Sequence, residues 1–444
     1  MLSLGSRSGR ALWATPFSTK LVVALTLSLA FMGFAMSCQT GGPTIENAPR
    51  YAGEPDIRVR VESAADRATI QGSGSLELAL VRGSRVTQTI NIDGPVVITP
   101  SDDGMQARAG ADTFTAPFGA HFEARATSGL TIDRTAMPGV VEVRRRGDAI
   151  DVIVIAPMER YLEGVLAGEL ISGWPLAAFE AQAVAARTYA MHERRRARDS
   201  GRAYDVESTT LDQVFVGETY ATQPRLAVQA TRGVVLTEHS KLIRSYYSST
   251  CGGRPSSAAA IWPTSGEFFF NTAGPIQAHP RDCPCERSPL HRWSRTRSVA
   301  DVTSRVTTWG KSAGHGVRAA KSVRSIEAVD WNDAGRPNAY TITDEGGSTF
   351  RVSAEELRVA LNTSTTGHPN ITRDTRMPSG DFQAFNRGAS IEFRGRGFGH
   401  GVGLCQWGAF GQASAGKDWQ AIVLHYYPGA RLERWWSRSD LAAR

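Results

Sequence analysis

Short segments within residues 57–157 alternate between apolar and polar side chains, and Gly, Asp and Pro separate these segments. A two-residue period is typical of strands that bury one face. We therefore expect antiparallel strands here and no long helix. The predicted strands cover residues 57–61, 75–80, 96–98, 140–143 and 151–155.

The period becomes that of helices after Pro157, a residue that suits the first turn of a helix. Residues 158–170 form the first predicted helix, and residues 176–198 form the second, which ends before Gly201. Later segments alternate between both types, with predicted strands at 234–236, 243–248, 326–330, 339–343 and 349–352 and helices at 353–361 and 419–426. Helices and strands in separate runs predict an α+β fold, in which an antiparallel β-rich N-terminal part precedes a mixed α/β core.

These changes of pattern, together with Gly- and Pro-rich stretches, divide the chain into consecutive regions. The predicted regions are an export signal (1–37), a tether (38–55), a β-rich N-terminal part (56–157), a catalytic core (158–286), an α+β insertion (287–390), a glycine-rich closing segment (391–432) and a tail (433–444).

The N-terminus has the organisation of an export signal. Residues 1–20 carry three basic and no acidic side chains, and an uncharged, mostly apolar run follows at 21–36. That run is short for a membrane span of about twenty residues and suits a signal peptide. Small residues before Cys38 approximate a bacterial lipoprotein signal. We expect an exported envelope protein with lipid on Cys38, the alternative being an uncleaved anchor helix.

The basic composition does not indicate a nucleic-acid-binding protein. The chain has 50 basic and 43 acidic residues, and all but five of the basic residues are Arg. These arginines are scattered among acids, whereas a nucleic-acid binder concentrates its charge on one face or helix. We therefore expect no nucleic-acid partner.

The remaining cysteines allow two interpretations, because an exported chain folds in an oxidising compartment. A disulfide is favoured, but four thiols allow three pairings and the sequence does not choose among them. The disulfide candidates are Cys251, Cys283, Cys285 and Cys405. The alternative is a structural zinc site formed by the first three with His291. The C-x-C spacing is weak evidence for zinc, so we expect no metal and no cofactor.

The first predicted helix carries a candidate catalytic acid. Leu162, Val165 and Glu169 recur at helical intervals, so Glu169 continues the apolar face while Glu163 points toward solvent. Burial disfavours a charged carboxylate and raises its pKa toward the range useful for a general acid. The competing interpretation is a salt bridge from Glu169 to an arginine such as Arg187.

Glycines alternate strictly through residues 395–403. In an extended conformation one face of this segment would have no side chains, so a sugar ring or another backbone could approach closely. We expect this segment to form a cleft floor beside the acid, with His400 and Gln406 as positioning groups and with Arg187 and Gln213 on the opposite wall. The alternative is a tightly packed strand crossing.

A polar turn at residues 246–253 offers several hydroxyl groups after a predicted strand. Its candidate substrate-binding residues are Tyr247, Ser248, Ser249 and Gly252. A Cys–His nucleophile pair of Cys251 with His400 is conceivable, but a disulfide at Cys251 would exclude it. A polar turn pinned by a disulfide is the favoured interpretation.

Together these segments resemble the SpoIID/LytB family, named for a stage II sporulation protein and an amidase enhancer. The resemblance extends over about residues 56–432. The matching segments are residues 161–169, 181–190, 212–217, 227–233, 248–253, 395–411 and 425–429.

The resemblance implies a peptidoglycan lytic transglycosylase that cuts glycan strands between MurNAc and GlcNAc and leaves 1,6-anhydro ends. Glu169 matches the single acid/base of that family. The implied partners are peptidoglycan glycan strands and a cell-wall amidase. Some relatives bind zinc through Cys and His near the Gln213 segment, but residues 204–215 contain neither residue type, so no metal is carried over. The alternative functions are a non-catalytic wall-binding module that enhances a partner amidase and a purely structural envelope lipoprotein.

Overall fold

A computed structural model describes residues 43–437 of the 444-residue chain. The predicted export signal and Cys38 lie outside the described residues, as does most of the predicted tail. No helix in the described part is long and apolar enough to cross a membrane.

The N-terminal part consists of strands, as the alternating pattern predicted. These strands are β1 (Ile45–Asn47), β2 (Asp56–Ala65), β3 (Ala68–Gly72), β4 (Ser75–Arg82), β5 (Arg85–Asp93), β6 (Val96–Ser101), β7 (Gly104–Ala109), β8 (Asp112–Pro117), β9 (Ala120–Ala126), β10 (Leu130–Ile132), β11 (Thr135–Met137), β12 (Val140–Arg146) and β13 (Ala149–Pro157).

Helices begin directly after β13. They are α1 (Met158–Glu169), α2 (Leu176–Asp199), α3 (Thr222–Ala230), α4 (Ala258–Ile261), α5 (Val299–Ser312), α6 (Ala354–Leu361), α7 (Gln406–Ser414) and α8 (Trp419–Tyr426).

Further strands alternate with these helices. They are β14 (Val206–Glu207), β15 (Val234–Glu238), β16 (Lys241–Leu242), β17 (Tyr247–Ser248), β18 (Arg292–Ser298), β19 (Val323–Trp331), β20 (Pro337–Asp344), β21 (Thr349–Ser353), β22 (Phe382–Asn386), β23 (Ser390–Arg396), β24 (Leu404–Cys405) and β25 (Arg431–Arg434). The fold is therefore α+β with a β-rich N-terminal part.

Two large sheets share one hydrophobic core. One sheet has the order β14-β2-β13-β12-β9-β4-β5, and the other has the order β11-β10-β3-β6-β7-β8. The core combines apolar side chains of both sheets with those of α1 and α2. Strand β13 is central to the first sheet and is buried along most of its length, so it supplies a fixed base for α1.

The insertion has a separate core. Its strands form the sheets β18-β23-β22 and β19-β20-β21, and α5 and α6 contribute to the same apolar cluster. Ser353 begins α6 through a capping box with Glu356, in which each side chain accepts a hydrogen bond from the other residue's backbone.

The predicted tether and tail need correction, because parts of both are integrated into the core. Strand β1 pairs in parallel with β25, and β25 pairs with β15. Trp436 is almost fully buried, and its indole Nε1 donates to Glu159 at 2.9 Å. The two adjacent tryptophans at 435–436 indicate burial, and the predicted tail boundary at residue 433 did not take them into account.

The local predictions that failed have identifiable physical reasons. Of the strand predicted at 243–248, only β17 is formed. The chain before it lies against α2, where the Ser245 hydroxyl donates to the Ala185 carbonyl. Helix α7 was not predicted, since glycine has low helix propensity. Gly408 and Gly411 occur there because Cβ atoms would collide with Cys283 Sγ and the Pro284 carbonyl, respectively.

Candidate functional site

Two glycines of α1 let a loop lie directly against the end of this helix. A Cβ at Gly164 would lie 2.2 Å from the Gly217 carbonyl oxygen, and a Cβ at Gly168 would lie 2.9 Å from that of Val214. The loop at residues 213–217 therefore covers the helix face that ends in Glu169. This contact brings backbone N–H groups close to the carboxyl group.

The carboxyl group of Glu169 is held by donors from three segments of the chain. The Val214 N–H donates to Oε1 at 2.9 Å, and the Gln406 amide donates to Oε2 at 3.2 Å. The Tyr247 hydroxyl also hydrogen-bonds this carboxyl group. Burial raises the pKa of Glu169 above its usual value, while these three hydrogen bonds favour the charged form and oppose the rise.

Gln213 positions Tyr247 and does not line an open wall. Its side chain is fully buried, and its amide donates to the Tyr247 hydroxyl at 3.0 Å and to the Ala186 carbonyl at 3.2 Å. The Tyr161 hydroxyl donates to Gln213 Oε1 at 3.0 Å. Since the Tyr247 oxygen accepts from Gln213, its own hydrogen is directed to Glu169. Gln213 therefore acts on the acid through Tyr247.

Arg187 is a structural residue, which corrects its predicted place on the cleft wall. Its guanidinium is fully buried and pairs with Glu159 at 2.6 Å, so the competing salt bridge to Glu169 is not formed. Glu159 also accepts from the Gly233 N–H at 3.0 Å and from the Trp436 indole. The pair joins α1 and α2 to the chain around β15 and β25.

The glycine-rich segment is not extended, which corrects the predicted flat cleft floor. Strand β23 ends at Arg396, and the next alternating glycines all have positive φ, between +69° and +97°. A Cβ at Gly399 would lie 2.9 Å from the Ser248 side chain, and one at Gly403 would lie 1.9 Å from the Tyr246 carbonyl oxygen. The segment therefore packs against residues 246–252, which supports the alternative of a close crossing of two chain segments.

His400 lies in this crossing among aromatic rings. Its Nδ1 accepts from the Val402 N–H at 3.0 Å, and its ring packs edge-on against Trp262 at 5.0 Å between centroids. Burial lowers the pKa of His400 to about 4, so the imidazole is neutral at ordinary pH. Within the described part of the chain His400 does not bond Glu169 or Cys251, so the conceived Cys–His pair is not formed.

The other residues of the predicted polar turn have mainly structural contacts. The Ser249 carbonyl accepts from the Trp407 N–H, and Gly252, at φ +65°, lies against Arg396. The Ser248 hydroxyl is buried and has no hydrogen-bond partner. Of this turn, Tyr247 is the residue that bonds the acid.

Two features of this part of the fold were not predicted from the sequence. Trp174, Trp407 and Phe410 form an aromatic cluster with centroid separations of 4.9–5.5 Å. Trp174 follows Glu169 by five residues and Trp407 adjoins its donor Gln406, so the cluster joins two chain segments that also contribute to the site. Gln182 is fully buried with both amide atoms unpartnered, one helical turn before Ala186. The available signal was a polar residue within an Ala-rich stretch of the helix.

The cysteines form a compact group. The predicted disulfide is not present, since all four thiols are free and buried. The four Sγ atoms lie within 4.8 Å of one another. The zinc interpretation had His291 as the fourth ligand, whereas the structure has Cys405 in that place.

A separate cavity of about 630 Å³ lies where the insertion meets the glycine-rich segment. Its lining includes Arg254, Arg292 and Arg396, and the lining does not include Glu169. The cavity is therefore not part of the site around the acid.

Two family models match parts of this chain, and the residues Tyr247 and Gln406 of the site lie outside both matched ranges. Residues 146–237 match the family model described as Stage II sporulation protein, and residues 276–403 match a Domain of unknown function (DUF8618). The first match includes the acid, the Arg187 helix and the Gln213 loop. The second includes the predicted insertion and extends beyond both of its ends.

Curated relatives match over about two thirds of the chain. An uncharacterized protein of Brachyspira hyodysenteriae is 28% identical over 68% of this chain and 74% of its own length. The amidase enhancer of Bacillus subtilis is 26% identical over 61% of this chain and 40% of its own length. The stage II sporulation protein D of Bacillus subtilis is 26% identical over 62% of this chain and 74% of its own length.

The structural assignment of Arg187 makes a direct prediction for stability. Arg187→Ala leaves Glu159 charged and unpaired in the core, so the free energy of unfolding should fall by about 3–5 kcal/mol in chemical denaturation. Arg160→Ala is the matched control, because it removes the pair of the exposed Arg160 with Glu218 and should cost under about 1 kcal/mol. If Arg187→Ala kept normal stability but lost glycan binding, the structural assignment would be wrong and Arg187 would be a substrate-binding residue.

Proposed function

Since this chain belongs to the SpoIID/LytB family, we propose that it is a lytic transglycosylase that cuts peptidoglycan glycan strands between MurNAc and GlcNAc. The observation that carries this proposal is the environment of Glu169. A half-buried carboxyl group with a raised pKa, held by three donors and by no ion pair among residues 43–437, is suited to general acid catalysis.

The proposed reaction needs one carboxyl group. Protonated Glu169 donates to the glycosidic oxygen as the bond from that oxygen to MurNAc C1 breaks. The resulting carboxylate then accepts the proton of the MurNAc 6-hydroxyl, whose oxygen bonds C1 and closes the 1,6-anhydro ring. Water is not consumed, and the acid returns to its protonated form. Most glycoside hydrolases instead use two carboxyl groups.

The causes of the pKa shift support this single-acid scheme. A nearby second carboxylate would raise the pKa through charge repulsion. Burial and the hydrogen bonds from Val214, Gln406 and Tyr247 set the pKa of Glu169, and no acidic neighbour within the described residues contributes. The pKa of Glu169 therefore reflects two opposing effects: burial raises it, and hydrogen bonds from uncharged donors lower it.

The aromatic cluster supplies a surface for the sugar. Trp407 and Phe410 are half-buried, so parts of their rings remain accessible beside the acid. Aromatic rings offer large, rigid apolar faces at low entropic cost. We assign these rings to the binding of a sugar face.

An alternative function is a non-catalytic module that enhances a cell-wall amidase. The name of the Bacillus subtilis amidase enhancer favours this alternative, although this chain covers 40% of that protein. Both functions imply an envelope location, which the sporulation and amidase-enhancer relatives support. Lipid attachment at Cys38 remains a prediction from the sequence.

The product of the reaction separates the two functions. Purified protein incubated with glycan strands should release 1,6-anhydro-MurNAc ends, detected by mass spectrometry. Glu169→Gln should lower the rate by about 10²–10⁴-fold, because Gln cannot supply the proton. Glu163→Gln is the matched control on the same helix and should retain wild-type turnover. Equal product from Glu169→Gln and wild type would contradict the proposal, as would amidase stimulation with no glycan cleavage by wild-type protein.

The hydrogen bond from Tyr247 predicts a shift of the pH profile. The acid must be protonated, so kcat/KM should fall as pH rises through the raised pKa of Glu169. Tyr247→Phe removes a donor that lowers this pKa, and a hydrogen bond to a charged group is worth about 1.5–3 kcal/mol. The alkaline limb should therefore move upward by about one to two pH units.

Tyr246→Phe is the control for this pH prediction. The Tyr246 hydroxyl donates to Asn271 Oδ1 at 2.7 Å and accepts from Arg244 at 2.8 Å, and neither residue bonds the acid. The alkaline limb of this variant should stay at the wild-type position. A downward shift in Tyr247→Phe would show that another group sets the limb.

A further inference from the structure

We propose that Cys251, Cys283, Cys285 and Cys405 bind one structural Zn²⁺ ion as a closed tetrathiolate site. This inference is independent of the proposed catalytic function. It differs in its fourth ligand from the zinc interpretation drawn from the sequence, which used His291.

The arrangement of the sulfur atoms supports one ion bound by all four thiolates. Every pair of the four Sγ atoms lies within 4.8 Å, and all four side chains are buried. A tetrahedral ion with Zn–S distances of about 2.3 Å needs S–S separations of about 3.8 Å. Small side-chain rotations therefore close the group around zinc. Two disulfides would require the two Sγ atoms of each bond to be close, but would not require all four Sγ atoms to be close to one another. The observed group is therefore the one expected for a single shared ion.

Several donors close to the sulfur atoms suit thiolates. The backbone N–H groups of Cys251 and Gly408 each lie 3.3 Å from Cys405 Sγ. His291 Nδ1 lies 3.4 Å from Cys285 Sγ, and the Tyr426 hydroxyl lies 3.4 Å from Cys283 Sγ. Such outer partners orient metal ligands and offset the negative charge of the thiolates.

The first turn of α7 favours the same charge. Cys405 is the N-cap of α7, where its sulfur accepts from the Gly408 N–H. The N-terminus of a helix carries partial positive charge and stabilises anions within the first turn. Gly408 is also required for space, because a Cβ there would lie 2.5 Å from Cys283 Sγ.

The site joins the chain segments that hold the catalytic acid. Cys405 pairs with Ser248 across the β17–β24 contact, and Tyr247 and Gln406 are the neighbours of these two residues along the chain. Both neighbours donate to Glu169. Four protein ligands leave no position for water or substrate, so the ion has a structural role. Zinc would fix the separation of Tyr247 and Gln406 and so the geometry around the acid.

Zinc content and thiol state of the full chain test the proposal directly. Protein purified without chelators should contain one zinc per chain by inductively coupled plasma mass spectrometry. After unfolding in chelator without reductant, all four thiols should react with iodoacetamide. Co²⁺ in place of zinc should give the visible absorption of tetrahedral cobalt thiolate. Protein without stoichiometric metal, with a mass that shows two disulfides, would overturn the proposal.

Variants distinguish the ligands from their neighbours. Cys405→Ser and Cys285→Ser should each lose stoichiometric zinc, whereas Cys38→Ser, the matched control outside the group, should keep it. His291→Ala should still bind one zinc at saturation, with affinity lower by about 10–100-fold, as expected for an outer partner. Complete loss of zinc in His291→Ala with full retention in Cys405→Ser would contradict the proposed ligand set. The measurement on wild-type protein decides the proposal even if the cysteine variants fail to fold.

Discussion

The site depends on the partial burial of one carboxyl group. In an exposed position water would hydrogen-bond the Glu169 carboxyl group. Here burial raises its pKa, and three protein donors hydrogen-bond its oxygens instead. Each donor comes from a different segment: the loop against α1, strand β17 and the start of α7. The acid can function as proposed only if these segments are held at fixed separations. Much of the surrounding structure serves to hold them.

Different physical interactions fix each of the three segments. Gly164 and Gly168 allow the loop of Val214 to lie against α1 without side chains between them. The buried Arg187–Glu159 pair and Trp436 fix α1 and α2 against the last strand. The glycine-rich segment runs against β17 through backbone conformations with positive φ, which side chains rarely adopt. The cysteine group lies where β17 and α7 meet.

The elements with strong periodicity could be predicted from the sequence. Strands β2 and β13 and helices α1, α2 and α8 follow their predicted spans within a few residues, since each buries a periodic apolar face in a hydrophobic cluster. Helix α7 could not be predicted, because its glycines are required by contacts with distant residues. The same applies to Arg187. Arginine is usually exposed, so its residue type indicated a surface role. Its burial depends on the pair with Glu159, which lies on another helix and could not be identified from the sequence.

The position of Glu169 could be inferred from helical spacing, but its donors could not. Val214, Tyr247 and Gln406 are between 45 and 237 residues from the acid along the chain, and only the fold brings them to it. The cysteines illustrate the same limit, since an exported chain favours disulfides by compartment alone. The four-sulfur arrangement becomes visible only in three dimensions.

The central claim is that the protein raises the pKa of Glu169 so that this group can act as an acid. Titration of the side-chain carboxyl resonances by NMR, with Glu169→Gln to assign the signal, measures this pKa directly. The account predicts a value above 4.5, the usual value for glutamate. A value at or below the usual one would show that the hydrogen bonds outweigh burial, and Glu169 would then be a carboxylate unsuited to the proposed first step.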